Sequence, residues 1–144
     1  TKTPTPTKTP IPVANIVVRA MGTSAKNASG PLEYPLMYLK INGSRAKFPN
    51  GSDVKWYVTG NPENYAFGIN KVITKLEVQY TNNSESDKVN DRNLRVDYIS
   101  LNGRIYESEN PTTIAAGAWV NNKCATGNFA TEWLFCNGYF RYTL

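Results

Sequence analysis

Over residues 72–80 apolar and polar positions alternate with a period of two. Val72, Thr74, Leu76, Val78 and Tyr80 fall on one side, and Lys75, Glu77 and Gln79 on the other. Successive side chains of a strand point to opposite faces, so this pattern predicts a strand with one buried and one wet side. Runs rich in β-branched and other apolar residues predict further strands over 15–21, 36–41 and 94–101, and shorter ones over 45–48 and 104–106. Val54, Trp56 and Val58 share one face of another. Asn42-Gly43, Asn50-Gly51 and Asn102-Gly103 punctuate these runs, and Asn-Gly is the strongest short hairpin signal. No segment carries a sustained helical period. Short strands joined by tight turns predict an all-β chain, an antiparallel β-sandwich.

Length and composition sharpen this picture. At 144 residues the chain is long enough for one domain with a real core. Residues 1–13 alternate Pro with Thr and Lys, which favours a stiff, extended linker. The folded module is therefore expected over residues 14–144, and the chain is expected to be a piece of something larger, with no secretory leader of its own. No run of about 18 apolar residues is present, so no helical membrane span is expected. The net charge of +5 includes Lys2 and Lys8 of the linker, and the remaining surplus is spread along the chain with no dense basic block. Nucleic acid is therefore not an expected partner. The absence of histidine removes Ser-His-Asp chemistry, HExxH zinc sites and any histidine base. Cys124 and Cys136 beside a secreted-style linker predict a disulfide and an extracellular location.

The chemistry-bearing stretch is residues 81–98, TNNSESDKVNDRNLRVDY, where a turn crowded with oxygen-bearing side chains runs into a strand. Asn, Asp and Ser favour turns for local reasons, but the same side chains supply the six to eight oxygens that calcium takes at loose geometry. An EF-hand is excluded, because Val89 stands where that loop needs Asp or Asn. For a loop-specific site Asp91 is the best single ligand, with Asp87 or Asn83 as the second. Asp97 lies within a strand and, if turned inward, requires an arginine, backbone donors or a second metal ion as partner. Trp119 and Trp133 lie in loop-like sequence, where an exposed indole can stack on the apolar face of a sugar. Glu107, Glu109 and Glu132 are the acids that a small glycoside hydrolase would recruit, but a sandwich of this size offers little room for a cleft.

Three segments together resemble the calcium-dependent, xylan-binding carbohydrate-binding modules of family 60, which are related by circular permutation to family 36. They are VVRAMGT at 17–23, YTNN at 80–83 followed by DRNLRVDYI at 91–99, and TEWLFCNGY at 131–139. The resemblance implies a lectin-like, jelly-roll-like sandwich that is not an enzyme. It implies a monomeric, secreted module tethered to a glycoside hydrolase and binding xylan, galactan or a β-glucan. It further implies a calcium ion that coordinates vicinal sugar hydroxyls. Asp91 matches an acidic ligand of the family and the carbonyl of Asn90 a backbone ligand. The family's other acidic ligand falls on Asn83, so either the Asn83 amide oxygen coordinates or Asp87 takes over. Trp119, rather than Trp133, is the favoured stacking aromatic. A small carboxylate-based glycoside hydrolase, or a β-domain merely stabilised by calcium, are the alternatives.

Overall fold

The computed structural model describes residues 2–7, 13–27, 30–85 and 91–144. The alternation over the first apolar run is realised directly: Ile16, Val18 and Ala20 are buried, and Asn15, Val17 and Arg19 between them face outward. The strands run β1 Ala14–Gly22, β2 Ala25–Lys26, β3 Leu32–Glu33, β4 Leu36–Ile41, β5 Ser44–Arg45 and β6 Lys55–Tyr57. They continue as β7 Glu63–Ile69, β8 Leu76–Tyr80, β9 Ser84–Glu85, β10 Asp91–Arg92 and β11 Leu94–Leu101. The last five are β12 Arg104–Glu107, β13 Ile114–Val120, β14 Lys123–Gly127, β15 Trp133–Leu134 and β16 Gly138–Tyr142.

Two antiparallel sheets face each other. The first has the order β12-β11-β1-β7, with β15 added on β11; the second has the order β14-β13-β16-β8-β4-β5, with β6 also on β4. Their inner faces close on one core, to which the first sheet brings Ile16, Val18, Phe67, Leu94, Val96 and Ile99. The second brings Met37, Leu39, Leu76, Val78, Tyr80 and Phe140. No helix occurs among the described residues. The predicted all-β sandwich is the observed fold.

The turns follow their chemistry. Asn42-Gly43 and Asn102-Gly103 both hold positive φ at each residue, the requirement of the two-residue hairpin. The Asn42 side chain also shortens the strand predicted over 72–80. Its Oδ1 accepts from the Thr74 and Lys75 amides, so pairing begins only at Leu76 and Val72 is left 64% exposed. The wet side of that strand is drier than alternation implies, because Glu77 is 1% exposed beneath Lys75 and Arg141.

Between β1 and β11 the register slips at Arg19/Ala20, where Arg19 faces Tyr98 and Ala20 faces Val96. Asp97 is the extra residue of this bulge, which turns it off the core-facing row. The linker predicted over 1–13 lies partly outside the described residues, as do Asp87 and Asn90 of the oxygen-rich turn.

Candidate functional site

The turn that the sequence singled out is flanked by a two-stranded ribbon, β9 against β10, with Asp91 opposite Glu85 and Arg92 opposite Ser84. Arg92 and Asp91 adjoin in sequence and therefore point to opposite faces. Arg92 turns inward and is 3% exposed. Its guanidinium donates to the carbonyls of Glu33 at 2.7 Å, Asn82 at 2.6 Å and Ala25 at 2.7 Å. Three separate segments are thereby tied to one planar fork, whose charge is met by Glu33 at 3.7 Å. The Tyr80 phenol donates to the Arg92 carbonyl at 2.5 Å. Burial pushes the Tyr80 hydroxyl well above its usual range, so it remains a donor there.

Asp91 lies on the other face of the ribbon. Its backbone carbonyl accepts from Thr23 Oγ1 at 2.5 Å, and its Oδ2 accepts from Asn93 Nδ2 at 2.8 Å. Asn83 is fixed through its backbone N–H, which donates to Asn137 Oδ1 at 2.7 Å, while its side-chain Oδ1 lies 3.3 Å from the Tyr80 hydroxyl. Asn83 and Asp91 line one open hollow of about 430 Å³ together with Trp119, Phe135, Cys124 and Cys136.

The far wall of the hollow comes from the β13–β14 hairpin. Asn121-Asn122, both at positive φ, make its turn in place of the more familiar Asn-Gly. Ala118 belongs to the core and Val120 packs against it, so Trp119 between them faces outward and is 54% exposed. Trp119 pairs with Cys124 across the hairpin, and Cys124 is joined to Cys136 by the predicted disulfide. Gly117 forms a bulge at φ 104°, and its carbonyl accepts from the amides of Phe135 and Cys136. The bulge and the disulfide thus clamp one loop from two sides and present Phe135 to the hollow.

The structure therefore brings together Asn83, Asp91 and Trp119. It sets two other sequence candidates apart. Trp133 does not lie in a loop: it pairs with Arg95 as part of β15, is half-buried, and stacks on Phe135 at 6.1 Å without lining the hollow. Asp97 lies on the first sheet, with Arg19 Nε at 3.7 Å, and its carboxylate comes within 4.8 Å of those of Glu107 and Glu109. Burial and these neighbouring carboxylates raise the Glu107 pKa. Glu132, the third acid considered for hydrolysis, is held by Arg95 Nε and Nη2, each at 2.6 Å. Phe135, Tyr80 and Arg92 stood in the sequence only within a strand pattern and the quoted segments, with no site role of their own. The WLFCNGY segment offered the only signal for Phe135, since an aromatic beside a bridging cysteine is held in place.

The donor chemistry of the hollow fits a hard cation. Its polar side chains present oxygen, from Asp91 and from the Asn83 amide, and no nitrogen or thiol ligand competes, since the chain lacks histidine and both cysteines are bridged. Behind Asp91, Asn93 Oδ1 is buried and accepts no hydrogen bond from any described residue.

A profile of the family described as calcium-dependent, xylan-binding carbohydrate-binding modules, CBM60, matches residues 15–116. The endo-1,4-beta-xylanase Xyn11B of Cellvibrio japonicus is 35% identical over 127 residues, which are 88% of this chain and 29% of that protein. The chain thus spans less than a third of the xylanase it matches. Two solved structures of vCBM60 share 28% identity with a TM-score of 0.67, each over 90% of this chain. One is the selenomethionine form, covered over 90% of its length; the other, in complex with galactobiose, is covered over 97%. With the sandwich, the disulfide and the hollow in the same frame, the chain is a non-catalytic carbohydrate-binding module and belongs to family CBM60.

Proposed function

We propose that the hollow is the sugar site, in which Asp91 and Asn83 hold a calcium ion and Trp119 stacks on the sugar. The observation that carries this reading is the convergence of Asn83, Asp91 and the exposed Trp119 on one open hollow. The Asn90 carbonyl, and Asp87 as the alternative to Asn83, are the further ligands that the family resemblance implies; both lie outside the described residues. When bound, calcium supplies open coordination positions for two adjacent hydroxyls of a neutral sugar. The protein's own part is to hold the ligands and the indole at fixed spacing. Arg92 and Tyr80 brace the ribbon, and the disulfide braces the hairpin. An amide at Asn83 where the family carries a carboxylate lowers the charge of the site and so weakens its hold on the ion.

The partner is a plant cell-wall polysaccharide, namely xylan, galactan or a β-glucan. The xylan-binding family and the galactobiose complex of vCBM60 support xylan and galactan within that range. The module works as a secreted monomer that residues 1–13 tether to a glycoside hydrolase, as the match to part of a xylanase suggests. Tethering raises the effective concentration of the enzyme at its substrate without tight binding by the module itself.

Calorimetric titration of xylo- and cello-oligosaccharides, with calcium and then with excess chelator, tests the reading. Binding that requires calcium and is lost in both Asp91→Ala and Trp119→Ala is the expected result. Binding indifferent to chelator moves recognition onto the aromatics alone. A calcium-dependent rise in melting temperature with no sugar heat makes the ion structural only. A calcium stoichiometry of two, falling to one in Asp97→Asn, would mark Asp97 with Glu107 and Glu109 as a second ion position. A stoichiometry of one leaves Asp97 to Arg19.

A further inference from the structure

The basic residues that look scattered in sequence converge on the outer face of the second sheet. Register places Tyr38 beside Gln79, Gln79 beside Tyr139 and Tyr139 beside Ala116, in one row across β4, β8, β16 and β13. The next row is Lys40, Glu77, Arg141 and Ile114. Neighbouring strands lie about 4.8 Å apart, so the two tyrosines stand roughly 10 Å apart on either side of Gln79. The Arg45 guanidinium lies 3.6 Å over the Tyr38 ring, with Lys55 at 5.9 Å, and Arg141 lies 4.8 Å over Tyr139.

Two carboxylates share this face, and each is already taken by two cations. Asp53 pairs with Arg45 and Lys47, and Glu77 with Lys75 and Arg141. Lys40 and Lys55 form no ion pair among the described residues. Six cations against two carboxylates leave a surplus of four positive charges on one sheet face, although the chain beyond Lys2 and Lys8 carries a net charge of only 5 − 2 = 3. A guanidinium stacked on a tyrosine and anchored at one edge, as Arg45 is by Gln79 Oε1 at 3.1 Å and Asp53, is pre-organised to meet a planar oxyanion with its remaining donors.

Trp119 of the hollow stands on the same side of the second sheet as this face. Trp119 projects to the same outer side of β13 as Ala116, the end of the tyrosine row.

We propose that the outer face of the second sheet binds the carboxylate groups of a uronic-acid-bearing polysaccharide, with Arg45, Arg141, Lys40 and Lys55 as the cations that recognise them. The inference rests on the sugar reading of the hollow for the class of polymer, but its charge recognition is separate from it. A neutral backbone engages Trp119; acidic substituents engage the sheet. Such pairing is screened by salt, whereas coordination and stacking respond to it far less.

The test compares a soluble xylan carrying uronic acid substituents with the same polymer after reduction of its carboxyl groups, each in excess chelator and in calcium. In chelator at low salt the protein is expected to bind the carboxylated polymer alone, and to release it as salt rises. The double variant Lys40→Gln/Lys55→Gln, which breaks no ion pair among the described residues, should bind that polymer roughly three- to tenfold more weakly. Its affinity for the reduced polymer in calcium should be unchanged. Equal loss of both polymers on chelation, or wild-type affinity in the double variant, overturns the proposal. Retention of a sulfated or phosphorylated polymer as strong as that of the carboxylated one also overturns it, and makes the face a general cation exchanger. Trp119→Ala separates the two sites: it should abolish calcium-dependent binding of the reduced polymer and spare carboxylate binding in chelator. If it spares both, the Trp119 reading fails and the sheet face stands.

Discussion

Tyr80 ends the core-facing row of β8, and its hydroxyl donates to the carbonyl of Arg92 at 2.5 Å, so one phenol joins the sandwich core to the ribbon that carries Asp91. Removing the hydroxyl leaves a buried carbonyl short of a donor and the ribbon free to shift. Tyr80→Phe is expected to cost about 1–2 kcal/mol in urea unfolding. Because Asp91 adjoins Arg92, calcium affinity should fall as well. A calcium titration at unchanged affinity would separate the brace from the metal site.

Arg92 serves three carbonyls at once, and no other residue type offers a planar fork of five donors. Arg92→Met strands these acceptors and leaves the Glu33 carboxylate to the Tyr57 hydroxyl alone. The expected loss is about 3–5 kcal/mol, the usual scale for breaking a buried charged network. Chemical denaturation followed by tyrosine and tryptophan fluorescence measures it.

The Cys124–Cys136 bridge closes a loop of separation 12, and the chain-entropy account gives such a loop about 3 kcal/mol. It also forms part of the hollow and holds the strand opposite Trp119. Reduction should therefore lower stability and weaken oligosaccharide binding together. A reduced protein that binds sugar with full affinity would show that Gly117 and the β13–β14 hairpin suffice to place the indole.

Gly138 permits the closest backbone approach between β16 and β13: a Cβ there would lie 1.9 Å from the Ala116 carbonyl oxygen. No rotamer change relieves a clash with backbone, so Gly138→Ala must push the strands apart. We expect about 2 kcal/mol or more of destabilisation. Reduced affinity at the hollow should accompany it, because the adjoining Gly117 bulge sets the position of Trp119.

Alkaline pH should unfold the protein through its tyrosines. Burial pushes the Tyr65 hydroxyl up to about 12, and pushes those of Tyr80 and Tyr142 higher still. The unfolded chain ionises these groups near pH 10. Above that pH the unfolded state has lost protons that the folded state keeps, so stability declines as pH rises. The urea midpoint should hold steady from neutrality to about pH 10 and then fall towards pH 12, with the last tyrosinate absorbance appearing only as the chain unfolds. Complete titration of all tyrosines while the protein stays folded would contradict this.

The fold was largely legible because periodicity reports burial. The runs at 15–21, 36–41 and 94–101 and the Asn42-Gly43 and Asn102-Gly103 turns stand where pattern predicted them. The missed strands are those whose composition is poor in β-formers. β13 reads IAAGAWV, with Ala and Gly where close backbone approach demands small residues rather than where propensity favours a strand. β7, ENYAFGI, is similarly plain. Asn83, Asp91 and Trp119 were identified from sequence as separate candidates, by oxygen content, by exposure of an indole and by family resemblance. Their meeting in one hollow depends on a β-bulge and a disulfide, which no local pattern encodes. The cationic face was invisible for the same reason: residues 40, 45, 55 and 141 become neighbours only through sheet register.

The insertion of β16 between β13 and β8 sets a timetable for assembly. Residues 138–142 form the keystone of the second sheet, so until they arrive both neighbours present open hydrogen-bonding edges. A nascent chain lacking this segment has half a sheet on either side of a gap, a state prone to pairing with other chains. The hollow of Asn83, Asp91 and Trp119, bordered by the segment just before this strand, then forms among the last features, so whatever it binds meets only molecules that have already closed the sandwich.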